Sequence, residues 1–479
     1  MNDLSMNFIA GEWVAGEGVS RNINPSNTKD LIGEYARASA AQIETAVAAA
    51  RAAFPAWSHS TPQERHDILL RASTEILARR EELGRLLSRE EGKTLAEGIG
   101  EATRAGQIFD FFAGEALRIP GEKLASVRPN VDVELTREPV GVVGIISPWN
   151  FPIAIPAWKI APALAYGNCV LFKPADLVPG SAHALSEIIV RAGAPKGVFN
   201  LVMGRGSVVG EAMLNHKGVD AITFTGSVAT GRKVAAACVE HMRKFQLEMG
   251  GKNPLVILDD ADLKVAVECA VNGAFFSTGQ RCTASSRLIV TKGIYGRFKE
   301  ALIDRMKGLV VDDALKQGTQ IGPVVDQGQL DQDLSYLKIG IGEGAKLAAG
   351  GERVDRASPG FYLTPALFTD VDNKMRIARE EIFGPVVAMI PAKDYDEALA
   401  LANDTPFGLS SGVCTTSLKY ATHFKRNAEA GMVMVNVPTA GVDYHVPFGG
   451  RKGSSLGTRE QGRYAVEFYT TVKTAYTLA

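Results

Sequence analysis

The stretch Val140-Gly141-Val142-Val143-Gly144-Ile145-Ile146-Ser147-Pro148-Trp149-Asn150-Phe151-Pro152 runs from an unbroken apolar segment into a turn stiffened by two prolines and two aromatic rings. An uncharged run of that length fits a strand covered on both faces, and the turn marks its end. Further short apolar runs come at 169–172, 198–202, 221–224 and 255–258. Helical patterns at 155–166, 182–192 and 207–214 lie between the first four of these five strands. Strands alternating with helices predict a doubly wound α/β fold, a parallel sheet with helices on both faces that takes nucleotides at its strand ends. Beyond Gly250-Gly251 a second α/β series begins, with helical patterns at 261–279, 294–308 and 394–402, and the main boundary is placed there.

Upstream, Val131, Val133 and Leu135 alternate with Asp132, Glu134 and Thr136, the period of a half-buried strand. The first hundred residues read as helices after a short β start. Ser39 precedes a helix over 42–57, and Thr61-Pro62-Gln63-Glu64 reads as a capping box with proline at the first helical position. Residues 65–117 keep apolar side chains at three-to-four spacing among charged ones, as amphipathic helices do. The tail, 466–478, is rich in Thr, Val, Tyr and Phe and reads as one exposed strand. An unpaired strand of that composition is an association hazard, so it is expected to pair with another element or another subunit.

With 479 residues the chain has room for about three domains. Its 46% hydrophobic and 22% charged residues are an ordinary globular composition. The 52 basic and 53 acidic side chains leave a net charge of −1, too little field to hold nucleic acid or an anionic membrane. Met1-Asn2-Asp3-Leu4-Ser5-Met6 lacks the basic start of a secretory signal, and no apolar run approaches the roughly 18 residues of a membrane helix. Five cysteines (Cys169, Cys238, Cys269, Cys282, Cys414), never spaced C-x-x-C, fit a reducing cytoplasm better than a disulfide framework or a zinc ribbon. The seven histidines are scattered without an H-x-x-x-H pair, so no metal site is expected.

Cys282 stands apart from the other cysteines because its neighbours, Ser277-Thr278-Gly279-Gln280-Arg281 and Thr283-Ala284-Ser285-Ser286, have the composition of an exposed loop. An exposed thiol is a candidate nucleophile. In Phe245-Gln246-Leu247-Glu248-Met249-Gly250-Gly251 one carboxylate sits among apolar residues. Partial burial there raises its pKa toward the range of a general base, although a glutamate that caps or salt-bridges at a strand end would look the same. Asn150, after a buried strand, can aim its amide at a developing oxyanion or can simply serve the turn. Lys173-Pro174-Ala175-Asp176 puts a cation and a carboxylate after another strand, and Phe224-Thr225-Gly226-Ser227 leads from strand to helix, where backbone N–H groups favour a diphosphate. Gly204-Arg205-Gly206-Ser207-Val208-Val209-Gly210 misses the dinucleotide spacing by one residue.

In this order, Pro148-Trp149-Asn150-Phe151-Pro152, Lys173-Pro174, Phe224-Thr225-Gly226-Ser227, Leu247-Glu248-Met249-Gly250-Gly251-Lys252, Gly279-Gln280-Arg281-Cys282, Glu380-Glu381-Ile382-Phe383-Gly384-Pro385-Val386 and Pro447-Phe448-Gly449-Gly450 resemble the NAD(P)-dependent aldehyde dehydrogenase superfamily along essentially the whole chain. The resemblance implies a Rossmann-like NAD(P)-binding domain (1–118 and 140–249), an α/β catalytic domain (250–446) and a β oligomerisation arm (119–139 and 447–479), in a homodimer or homotetramer. It implies Cys282 as nucleophile, Glu248 as general base, and Asn150 sharing the oxyanion hole with the Cys282 backbone N–H. Lys173 and Glu381 would hold ribose hydroxyls, Gly226 and Ser227 would lie by the diphosphate, and Trp149 and Phe383 would border the cofactor. The residue types suit the chemistry. A thiolate must first add to the aldehyde to make a tetrahedral alkoxide, and after oxidation a water must hydrolyse the thioester.

Within that superfamily, Gly279-Gln280-Arg281-Cys282-Thr283-Ala284-Ser285-Ser286-Arg287 and the tail Gly449-Gly450-Arg451-Lys452-Gly453-Ser454-Ser455 look most like the 2-oxoglutarate semialdehyde (2,5-dioxopentanoate) dehydrogenases. The commoner tail has Ser-Gly where this chain has Ser454-Ser455. A carboxylated substrate would want a cation beside the thiol, and Arg281 or Arg451 can supply it. Succinic semialdehyde dehydrogenases carry an arginine six residues before the nucleophile, and here that position is Phe276. A broad-range aldehyde dehydrogenase is a further alternative. Asp176 stands where NAD-preferring relatives have a glutamate, and its charge should repel a 2′-phosphate, so NAD is expected, with NADP left possible by the shorter side chain. A CoA-acylating relative is disfavoured by Glu248. A thiol hydrolase lacks a histidine linked to Cys282, and a non-catalytic cofactor-binding relative would not need Cys282, Glu248 and Asn150 together.

Overall fold

Strands β1 (Asn7–Ile9), β2 (Glu12–Val14), β3 (Gly18–Ile23) and β4 (Leu31–Arg37) precede four helices, α1 (Ala40–Ser58), α2 (Pro62–Ala78), α3 (Arg80–Glu91) and α4 (Leu95–Ala116), in the computed structural model of residues 4–478. Met1–Asp3, part of the N-terminal stretch read above, and Ala479 lie outside the described residues. Ser39 and Gln42 form a full capping box on α1, as do Thr94 and Glu97 on α4. On α2 only half of the expected box forms, the Glu64 N–H donating to Thr61, while Pro62 sets the first helical φ.

β5 (Glu122–Ala125) and β6 (Val131–Pro139) form a hairpin, and the chain then enters the apolar run as β7 (Val142–Ile146). From there β8 (Cys169–Lys173), β9 (Phe199–Leu201), β10 (Ala221–Thr225) and β11 (Lys244–Glu248) alternate with α5 (Ala154–Ala165), α6 (Pro179–Arg191), α7 (Glu211–Asn215) and α8 (Val228–Glu240). The helical pattern at 207–214 is a π-helical turn over Gly206–Gly210 running into α7. The strands are ordered β9-β8-β7-β10-β11, all parallel, which is the Rossmann order 3-2-1-4-5. Their side chains are buried on both faces, and Val142, Val143 and Ile145 share one core with Phe109 and Phe112 of α4.

The second sheet follows the order β14 (Lys346–Ala349), β15 (Ala366–Thr369), β16 (Val386–Ala392), β13 (Ser285–Thr291), β12 (Asn253–Ile257), β18 (Ser410–Cys414), β19 (Met432–Val435), parallel except at β14–β15. Leu255 and Ile257 face a core built with α9 (Leu263–Phe275), and Val256 faces the opposite core, so the sheet is covered on both sides.

The tail departs from the single strand expected over 466–478. Val466–Tyr469 is a helical turn, closed by the Thr470 hydroxyl donating to the Val466 carbonyl, and its apolar side chains join the first core. The strand begins later, as β22 (Thr470–Leu478), and pairs antiparallel with β6 along its whole length. Of residues 447–479, only β22 lies in that three-stranded sheet. β20 (Arg451–Lys452) pairs with β17 (Phe407–Gly408), and β21 (Ser455–Leu456) joins the edge of the first sheet beside β11.

Candidate active site

β7 and β10 are adjacent although the chain winds outward from them in opposite directions, so a crevice opens at their C-terminal ends. The Ser147–Pro152 turn follows β7, Thr225-Gly226-Ser227 follows β10, and Glu248 ends β11. The motifs picked out of the sequence therefore share one sheet edge.

Cys282 reaches this edge on a loop that leaves α9 through three consecutive left-handed residues, Ser277 (φ 52°), Thr278 (φ 55°) and Gly279 (φ 68°). Two of these are not glycine, a strain of about 1–3 kcal/mol each that neighbouring contacts must offset. Glu97 accepts from the Ser277 N–H (2.7 Å) and hydroxyl (3.0 Å), and Thr278 donates to the Gly322 carbonyl (3.1 Å). Gly279 admits no side chain, because a Cβ there would lie 2.3 Å from the Gly384 carbonyl oxygen. The Asn253 amide donates to the Cys282 carbonyl (2.8 Å), fixing the loop from the second sheet. Burial pushes the Cys282 thiol up to about 12, with the nearby Glu381 and Glu248 carboxylates adding to the shift. The backbone N–H groups of Cys282 and Thr283 oppose it.

Asn150 is buried, and its side-chain amide donates to the Gln280 carbonyl two residues before the cysteine (2.9 Å). Its backbone is held by Lys93, fully buried between helices, which donates to the Asn150 carbonyl (2.8 Å) and pairs with Glu101 (2.5 Å). Glu101 accepts in turn from the N–H groups of Ile153 and Ala154. The buried pair of Lys93, from the loop before α4, and Glu101, on α4, thus holds the Asn150 carbonyl and the N–H groups that follow the turn.

Glu248 is buried, and its pKa is raised well above the carboxylate range, first by desolvation and then by the Glu460 carboxylate. The Ser455 hydroxyl, Lys159 and Arg459 pull the other way. Lys159, also buried, pairs with Glu460 and donates to Thr223 (2.8 Å).

Two cavities meet at Cys282. One, of about 270 Å3, is lined by Arg104, Trp158, Arg281, Cys282, Val442 and Phe448 among others. Arg281 lies in it but is already paired with Glu97 (3.2 Å) and bonded to Ser277. Arg104 of α4 has no carboxylate partner among the described residues, although its Nη2 donates to Gln461 Oε1 (3.2 Å), and the buried Nε atoms of Arg104 and Arg281 and the Trp158 indole N–H lack acceptors. Arg451 is not in this cavity. Its side chain is exposed on β20, which the pairing with β17 carries away from the thiol.

The other cavity, of about 210 Å3, is lined by Trp149, Asn150, Gly226, Ser227, Cys282, Glu381 and Phe383. Trp149 and Phe383 meet edge to face at 5.3 Å. Burial raises Glu381 to about 7, and it accepts from the Gly251 N–H (2.9 Å). Lys173 is buried at the end of β8, where desolvation lowers its ammonium to about 8. Asp176 does not present a bare charge, because Arg37 pairs with it at 3.1 Å and the Ser20 hydroxyl bonds to it. The expected repulsion of a 2′-phosphate is therefore partly compensated by a guanidinium that the sequence reading missed. Among the described residues no group of three or more His, Cys, Asp or Glu side chains is placed to hold a metal ion.

The sequence profile of the Aldehyde dehydrogenase family matches residues 13–475. The chain belongs to that family. It is 45% identical to the alpha-ketoglutaric semialdehyde dehydrogenase of Bacillus subtilis strain 168, over 98% of this chain and 97% of that one. It is 40% identical to the 2,5-dioxopentanoate dehydrogenase of Saccharolobus solfataricus, over 98% of each. The crystal structure of Staphylococcus aureus betaine aldehyde dehydrogenase in complex with NAD+ superposes with a TM-score of 0.96 at 36% identity, covering 99% of this chain and 95% of that one.

The anchors Lys93, Glu97, Glu101 and Arg104 escaped the sequence reading because charges on an amphipathic helix look like its solvated face. Thr94-x-x-Glu97 is a visible capping signature, but nothing local says that Glu97 also reaches a loop 180 residues away.

Proposed function

We propose that this enzyme oxidises a carboxylated semialdehyde, with 2,5-dioxopentanoate the best fit, to the carboxylic acid with NAD as electron acceptor. The observation that carries this reading is the position of Cys282 in the walls of both cavities, one rich in unpaired donors and one at the Rossmann strand ends. The 45% identity to an alpha-ketoglutaric semialdehyde dehydrogenase supports the substrate class. The cavity's carboxylates Glu97 and Glu101 are paired with Arg281 and Lys93, so the charge left over is that of Arg104, which disfavours the cationic substrate named for the betaine aldehyde relative. None of the seven histidines lines either cavity, which disfavours a thiol hydrolase.

Cys282 releases its proton to solvent, and its sulfur adds to the aldehyde carbon while the carbonyl electrons move to oxygen. The Asn150 amide and the Cys282 N–H stabilise that oxyanion, where losing one donor typically costs about 2.7–4 kcal/mol. Bound NAD supplies the acceptor for the aldehyde hydrogen and its electron pair, leaving a thioester on Cys282. Glu248, turned away from Ser455, takes a proton from water. The water oxygen adds to the thioester carbon, the C–S bond breaks, and the thiolate leaves. Lys173 and Glu381 would hold ribose hydroxyls, Gly226 and Ser227 would lie by the diphosphate, and Trp149 and Phe383 would border the cofactor, Phe383 on its nicotinamide side.

Arg104 is the cation we assign to the substrate carboxylate, with Arg281 as its neighbour. Arg104→Met is expected to lower kcat/KM for 2,5-dioxopentanoate by about a hundredfold while changing an uncharged aldehyde by less than about threefold. Equal losses on both would remove Arg104 from substrate recognition. For the cofactor, Asp176→Ser frees Arg37 to meet a 2′-phosphate and should shift the NADP/NAD ratio of kcat/KM toward NADP by about tenfold or more. An unchanged ratio would show that the Arg37–Asp176 pair does not face the adenosine ribose.

We assign 1–118 and 140–249 to cofactor binding and 250–446 to the catalytic domain. The β5–β6–β22 sheet is the oligomerisation arm of a homodimer or homotetramer. Exposed Val472, Tyr476 and Leu478 on β22 support the arm. Five unpaired cysteines support the cytoplasm, and no described helix is long and apolar enough to cross a membrane.

A further inference from the structure

β21 lies antiparallel to the end of β11, with Ser455 opposite Glu248. The Ser455 hydroxyl donates to Glu248 Oε2 (2.5 Å), while the Gly450 N–H donates to the same Ser455 oxygen (2.6 Å). The second bond orients the hydroxyl, because with a backbone donor already on the oxygen its hydrogen is free to point at the carboxylate. Glu248 Oε1 is buried without a partner, and Glu248 lines neither cavity. A Cβ on Gly449 would sit 2.7 Å from Oε1, so glycine there keeps room for the carboxylate.

We infer that Ser455 is a positioning residue that holds the resting Glu248 carboxylate against β21, outside both cavities, and favours its ionised form by clamping Oε2 through an oriented hydroxyl while leaving Oε1 uncommitted. This rests on the reading of Glu248 as the base for thioester hydrolysis. The other titratable groups around Glu248 come from three elements: Lys159 on α5, Arg459 and Glu460 on the loop after β21, and Cys282 on the loop after α9. Lys159 and Arg459 favour the ionised form and Glu460 opposes it, with Lys159 and Glu460 locked to each other. Ser455 is the one neutral donor in the set, so its removal changes the balance without changing any charge. A donor lost from a carboxylate disfavours the ionised form, so the pKa of Glu248 rises further and the base is available only at higher pH.

The test is the decay of the acyl-enzyme formed from a saturating aldehyde and NAD, quenched on the millisecond scale and read as the mass of the Cys282 peptide across pH. This reports hydrolysis whether or not it limits turnover. Ser455→Ala should move the acid limb of that decay upward by about one pH unit, a rate about tenfold lower on the limb, while the plateau at high pH stays within about twofold. A purely structural role would instead lower the rate equally at every pH or lower the melting temperature. An unmoved limb, or a uniform loss, would overturn the inference. Glu248→Gln, run in parallel, separates the two readings. If it abolishes the limb while Ser455→Ala leaves it in place, only the role of Ser455 falls. If it decays with the wild-type limb, the base assignment falls and Ser455 with it.

Discussion

Cys282→Ala is expected to lower aldehyde oxidation by about four orders of magnitude or more, because the thioester route has no second thiol in either cavity. The other four cysteines are buried in the cores and are not cavity-lining residues. The fold should tolerate the change. Cys282 is only partly enclosed, and the loop is held by the Asn253 bond to the Cys282 carbonyl and by Glu97, neither of which uses the sulfur. The variant should keep its melting temperature within a few degrees and still quench on adding NAD. Normal steady-state oxidation by it would sink the covalent mechanism. Loss of turnover together with loss of folding would leave the nucleophile to be tested by Cys282→Ser, for which the same loss is expected with the loop intact.

Glu248→Gln has the second-largest expected effect, and a different kinetic shape. The amide matches the carboxylate in size but cannot take a proton from water, so thioester hydrolysis should slow by about 10²–10⁴-fold. Reduced nicotinamide should then appear as a burst close to one equivalent per active site, followed by a slow steady state, with the acyl group trapped on Cys282. The buried Lys159–Glu460 pair stays intact, and Arg459, which acts on Glu248 through its charge alone, keeps its bond to the Gly450 carbonyl. An unchanged burst and steady state would remove Glu248 from the base role.

The Rossmann sheet was legible because its strands are buried on both faces and their uncharged runs survive unaltered in the sequence, from 140–146 through 221–224. The loop of Cys282 was legible from composition, but not as the exposed loop expected, because Ser277, Thr278, Gln280, Thr283, Ala284 and Ser285 are buried and Cys282 is half-buried. Its strained backbone was not legible, since Ser277 and Thr278 adopt positive φ only because Glu97 and Gly322 hold them. Which arginines reach the thiol cavity was legible only in part. Arg451 follows the Phe448-Gly449-Gly450 motif closely, yet the strand pairing of β20 turns it outward, whereas Arg104 comes from a helix 178 residues before Cys282 and arrives only through packing. The tail misled for a related reason. Val466 and Phe468 have β-forming side chains, but burial in the first core favours a helical turn there.

The central claim is tested most directly by initial rates of reduced-nicotinamide formation with 2,5-dioxopentanoate, succinic semialdehyde and a matched uncharged aldehyde, each with NAD. The account predicts that 2,5-dioxopentanoate exceeds the uncharged aldehyde by about a hundredfold in kcat/KM, about 2.7 kcal/mol of transition-state binding. Equal rates for charged and uncharged aldehydes would contradict the carboxylate-binding pocket, and no reduction with any aldehyde would contradict the reaction itself.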